Sequence, residues 1–223
     1  MKKNKLFIIG LVTVFVALLS LTLVSSTFAK YTTTDTGTDT ARVAKWGVSI
    51  SAAGDDAFKT EYATDDKNVT EITTSVKSST NDKVIAPGTE GTFAAVTVTG
   101  TPEVAVKIEQ KATVTLENWV INTDEFYCPI VITVKKGNDT ITIQQDATNN
   151  TVAALKEAIE EAINNTIYAE ANTDLSTKIS SLEISWAWAF GAGTTDAKDT
   201  ALGNLETAPT IKVEVVTTVT QID

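Results

Sequence analysis

The side chains able to do chemistry are few in this chain of 223 residues. It has no histidine and a single cysteine, Cys128. Without imidazole there is neither the usual neutral-pH acid and base nor the commonest metal ligand. With one thiol no disulfide can close within the chain. Cys128 lies in Phe126-Tyr127-Cys128-Pro129-Ile130, and its apolar neighbours predict a buried, inert thiol that packs as a small hydrophobe. Asp35-Thr36-Gly37 spells the tripeptide of aspartic proteases, but those enzymes need two carboxylates sharing a proton, and the triplet occurs once. Asp55-Asp56, Asp65-Asp66 and the Asp196/Asp199 loop offer oxygen atoms that calcium could use. Their spacing lacks the central glycine and terminal glutamate of a calcium loop, so they read as solvated acidic loops. Gly191-Ala192-Gly193 lacks the rest of a dinucleotide fingerprint and its strand–helix setting. Neither an enzyme activity nor a metal or other cofactor is expected. One aromatic row stands out, Trp186, Trp188 and Phe190. It suits either a sugar-stacking platform or a core, and Ile184 on the same face with Ser185, Ala187 and Ala189 opposite favours the core.

The elements that would position these residues are mostly strands. Threonine fills 39 positions and, with valine and isoleucine, tilts the composition towards β-structure. In Val104–Leu116 the even positions are Val104, Val106, Ile108, Ala112, Val114 and Leu116, interrupted only by Gln110, while the odd positions are polar or small. That alternation marks an antiparallel strand with one face on a core and the other in water. Arg42–Ser51, with Trp46, Val48 and Ile50 on one face, reads as the first strand. Ala52–Asp82 is polar and loop-rich, Ala86-Pro87-Gly88 is a turn, and Thr92–Thr99 is a strand. Lys136-Gly137-Asn138-Asp139 joins Ile130–Lys135 to Thr140–Gln144 as a hairpin. One helix is expected at about 151–169, where Val152, Leu155, Ile159, Ile163 and Ile167 form an apolar stripe that Asn150 or Thr151 can cap. Leu182–Phe190 and Ile211–Thr220 complete the set. The sum is a single mainly β domain over 41–223, most simply two packed antiparallel sheets with one covering α-helix.

Residues 1–29 have the make-up of a secretory signal. Lys2, Lys3 and Lys5 open it, Leu6–Val24 is largely apolar, and Thr27-Phe28-Ala29 places small residues before a cut between Ala29 and Lys30. The apolar run is long enough that an uncleaved anchor is the competing reading. Losing the three leader lysines takes the net charge from −10 to −13. Such acidity disfavours nucleic acid and anionic membrane surfaces as partners. After the cut, residues 30–40 form a polar arm in which Thr32, Thr34, Thr36, Thr38 and Thr40 fall on one side of an extended chain. Such an arm is either a loose tail or a strand waiting for a sheet. The C-terminal residues Val219–Asp223 hold no LPxTG-type signal, so wall anchoring by that route is not expected.

Several of these stretches together resemble a known family. Ser26-Thr27-Phe28-Ala29-Lys30-Tyr31, Ala41-Arg42-Val43-Ala44-Lys45-Trp46-Gly47-Val48 and Ala86-Pro87-Gly88-Thr89-Glu90-Gly91-Thr92-Phe93 are similar to segments of the TasA/camelysin group, secreted proteins of Gram-positive bacteria cut by a SipW-type signal peptidase. The resemblance implies a jelly-roll-like sandwich subunit that polymerises head-to-tail into extracellular fibres of a biofilm matrix. It also implies that the mature N-terminal segment completes the sheet of the next subunit. Here that donor strand would use Lys30, Tyr31, Thr32, Thr33, Thr34, Thr36, Thr38 and Thr40. The metalloprotease activity ascribed to camelysin is not carried over, since histidine and any zinc motif are missing. A monomeric cell-surface adhesin or glycan-binding module using the tryptophan row is the alternative.

Overall fold

A computed structural model describes residues 41–53, 57–64, 71–93, 95–178, 182–190 and 195–222. The chain divides into two compact units, Met1–Arg42 and Val43–Asp223. The expected export signal and the threonine arm lie outside the described residues, so the architecture is that of the second unit. Its strands and helices, in chain order, are β1 (Val48–Ala53), β2 (Glu61–Ala63), β3 (Thr74–Lys77), β4 (Thr89–Thr92), β5 (Ala95–Gly100), β6 (Val106–Glu117), β7 (Val120–Ile121) and β8 (Glu125–Phe126). There follow β9 (Val131–Lys136), β10 (Asp139–Ile143), α1 (Val152–Ile163), β11 (Asn165–Ala169), α2 (Leu175–Lys178), β12 (Leu182–Trp188), α3 (Asp196–Gly203) and β13 (Thr210–Gln221).

The larger sheet runs β1-β5-β12-β9-β10, with β4 also on β12, and the second runs β11-β6-β13. All pairings are antiparallel. This is the mainly β, sandwich-like arrangement that the alternating patterns imply. In β6 the even positions Val106, Ile108, Gln110, Ala112, Val114 and Leu116 are all buried, while the odd ones are exposed or half-buried. Ala112, Val114 and Leu116 share the main core with Ile132 and Val134 of β9 and Ile184, Trp186 and Trp188 of β12 in the larger sheet. Trp186 also anchors a crossing loop, its Nε1 donating to the Ala57 carbonyl at 2.7 Å. Gly91 makes that approach possible, because a Cβ there would overlap Ala57 O and Trp186 Nε1. The β9–β10 hairpin turns through Gly137-Asn138, and Gly137 takes the positive φ of 63° that a type II′ loop needs at its first position.

Other expectations need correction. The first strand begins at Val48 rather than Arg42, and two residues of its expected apolar face, Trp46 and Ile50, are 42% and 45% exposed. The strand expected at Thr92–Thr99 is two strands, broken where the half-buried Phe93 packs edge-on against Phe58. The helix starts as expected, with Thr151 Oγ1 accepting the Ala154 N–H at 3.1 Å, but it stops at Ile163. Asn164 takes an extended backbone (φ −56°, ψ 134°), and Asn165–Ala169 joins β6 as β11. Ile167 therefore continues the helical stripe in spacing only. The Asn-Asn-Thr-Ile-Tyr run favours a strand over a helix once an edge is on offer. Two short helices, α2 and α3, were not expected. Both sit in polar stretches, and each is held by one buried leucine, Leu175 or Leu202.

α1 does more than cover the core. β11 pairs with β6 only over Val106–Gln110. Beyond it, Asn164 Oδ1 accepts the N–H of Ala112 and Glu160 Oε1 accepts that of Val114, both at 2.8 Å. Side chains of the helix thus take the backbone donors that a longer neighbouring strand would have used.

Candidate functional site

Five strands of the two main sheets have one neighbour among the described residues, β1, β4 and β10 in one sheet and β11 and β13 in the other. β13 differs from the other four in length and regularity. It spans 12 residues against 6, 4, 5 and 5, and it pairs with β6 through Thr210–Gln221 in unbroken register. Side chains alternate strictly along it. Ile211, Val213, Val215, Thr217 and Val219 are half-buried on the inner face, and Lys212, Glu214, Val216, Thr218 and Thr220 are exposed on the outer. Both ends are pinned, as Trp119 Nε1 donates to Thr210 O at 2.8 Å and Ile222 N–H to Ala105 O at 3.0 Å. Proteins usually blunt such an edge with proline, a bulge or a very short strand. β13 carries none of these, and its two exposed charges, Lys212 and Glu214, pair with each other at 2.7 Å.

The inner row has one polar break. Gln110 of β6 and Thr217 of β13 are register partners, and Gln110 Nε2 and Thr217 Oγ1 are both buried with no hydrogen-bond partner among the described residues. They divide the main core from a smaller cluster formed by Val98, Val106, Ile108, Ala169 and Leu175.

The sequence-derived site residues fall as follows. Ala29, Lys30 and the arm through Thr40 lie outside the described residues, as do Asp35–Gly37, Asp55-Asp56, Asp65-Asp66 and Gly191–Gly193. Trp186 and Trp188 are buried core residues, at 2% and 6% exposure. The row breaks at its end, where Phe190 is 79% exposed. Cys128 is buried, and loss of solvation pushes its thiol up to about 12 from a usual 9.0. Asp199 accepts the Tyr127 hydroxyl at 2.6 Å. Among the described residues no three His, Cys, Asp or Glu side chains gather as a metal site would need.

A cleft missed by sequence reasoning opens between Cys128–Val131, Gln144–Asp146, Ala189-Phe190 and the start of α3, with a volume of about 500 Å³. Lys198 on its wall pairs with Glu125 at 2.6 Å and stands 5.5 Å from the centre of the Tyr127 ring. Burial and the bond to Asp199 raise the Tyr127 phenol above its ordinary range. The only sequence signal for the cleft was Phe190, which closes an apolar row without sharing its burial.

No protein-family profile matches the chain, and no curated protein matches it in sequence.

Proposed function

We propose that the mature chain is a secreted structural subunit that polymerises into extracellular fibres of a bacterial biofilm matrix, Lys30–Thr40 of one copy adding as a strand to the free edge of β13 in the next. The observation that carries this reading is β13 itself. It offers 12 residues of regular edge over a half-buried apolar row. An arm of 11 residues reaches about 36 Å when extended, close to the roughly 40 Å of a 12-residue strand. Backbone hydrogen bonds to such an edge supply affinity with little demand on side-chain identity. The threonines of the arm, β-branched and uncharged, suit a strand. The contact joins different surfaces of two copies, so it propagates into a filament when the rotation between copies does not close. The resemblance of the leader and of residues 41–48 and 86–93 to TasA/camelysin proteins supports the same reading. Its partners are further copies of this chain and, during export, a signal peptidase cutting between Ala29 and Lys30. The adhesin alternative draws no support from the tryptophan row, since buried Trp186 and Trp188 cannot stack on a glycan.

Two sets of single-cysteine variants test the contact. Thr34→Cys, Thr36→Cys or Thr38→Cys in one preparation is mixed with Thr218→Cys in another and oxidised, the buried Cys128 staying silent. The reading predicts a covalent heterodimer for at least one register, since paired strand residues stand about 4.5–5.5 Å apart. No heterodimer in any combination contradicts it.

A further inference from the structure

We infer that the cleft beside Phe190 is a binding site for a neutral saccharide. The inference stands apart from fibre formation, because it uses neither the arm nor β13. The volume of about 500 Å³ lies within the range of small-ligand sites. Phe190 supplies the stacking surface. At 79% exposed its ring is still held, because it rests on Gly88, where a Cβ would overlap it. Gly88 in turn is fixed by its N–H bond to Trp188 O at 2.7 Å. A chain segment that spends a glycine in positive φ (84°) under an aromatic ring presents that ring in one place, as stacking on the flat face of a sugar requires.

The polar groups of the cleft select the ligand class. Its one cation, Lys198, is matched by Glu125, while Asp146 and Asp199, the latter accepting the Tyr127 hydroxyl, leave the lining net negative, so an anionic ligand is disfavoured. The chain as a whole, at −10, repels polyanions. What faces the cleft is hydroxyl- and amide-seeking. Asp146 spends Oδ1 on the N–H groups of Thr148 and Asn149, which leaves Oδ2 to accept from a sugar hydroxyl. Gln144 is exposed at the same rim and offers an amide donor and acceptor. Gln145, by contrast, is structural, both ends of its side chain being bound to the backbone of Cys128 and Phe126.

The test is saturation-transfer NMR on the protein purified from the medium of cells expressing the full chain, with cellotetraose and chitotetraose as probes; monomer and fibre both give the signal. Saturation transfer to sugar C–H protons is expected for at least one probe. Phe190→Ala is expected to weaken that binding about tenfold, and Gln144→Ala to weaken it less, with the circular-dichroism spectrum unchanged because both side chains are exposed. Two results overturn the inference: no transfer to either probe at millimolar concentration, or transfer that Phe190→Ala leaves unaltered.

Discussion

Cys128 shows how one residue type, placed correctly from its neighbours, sets a measurable property. The thiol sits among buried apolar side chains, and loss of solvation raises its pKa to about 12, opposed by a backbone hydrogen bond from Ile130. In the unfolded chain it ionises near 9.0. Below that pH both states hold the proton and stability does not depend on it. Above it the unfolded state gives up the proton and the folded state keeps it, so folding stability falls as pH rises, by about 1.4 kcal/mol per pH unit. Tyr127, whose phenol is also raised by burial and by Asp199, adds to the loss from about its ordinary 10.0. Urea midpoints are therefore expected to be level from neutral pH to about 9 and to drop beyond it, with a shallower drop in Cys128→Ala. Equal alkaline slopes in the two proteins would show that the thiol is solvated. The same local reasoning placed Trp186 and Trp188 in the core. It failed at Phe190, because alternation continues through Ala189 in sequence while β12 ends at Trp188, and no pattern of residue types announces where a ladder stops.

Among the elements, those with strict alternation were legible and those that depend on a distant neighbour were not. β6 and β13 declare themselves through a period of two, and the β9–β10 hairpin through Lys136-Gly137-Asn138-Asp139. The C-terminal half of the expected helix did not, since Ile163 and Ile167 fit either a helical stripe or a strand, and pairing with β6 decided for the strand. Nor could spacing reveal that α1 would close the exposed stretch of β6 with Glu160 and Asn164. That role makes a sharp prediction. Glu160→Ala leaves the buried N–H of Val114 without an acceptor and is expected to destabilise the fold by about 1–3 kcal/mol. Glu160→Gln keeps an acceptor at the same reach and recovers most of the loss in urea titrations. If Ala and Gln variants unfold at the same midpoint, the helix is not acting through that hydrogen bond. With β6 closed on this side by α1 and β11 and on the other by β13, the outer edges of the smaller sheet among the described residues are the short β11 and the long β13.

At the scale of the whole molecule, the sandwich was legible because a mainly β composition with half-polar strands has few other ways to bury its apolar faces. The order of strands was not, as it rests on pairings between segments far apart in sequence, such as β12 between β9 and the β4/β5 pair. That order is what gives a long, regular outer strand to a chain whose sequence has five alternate threonines just after the expected cut. Strand donation is thus a claim about two ends of one chain meeting in different copies. Electron microscopy of the purified protein beginning at Lys30, and of the same protein without Lys30–Thr40, tests it most directly. Filaments from the complete mature chain and only monomers from the shortened one are the predicted result, and filaments that persist unchanged without the arm would contradict it.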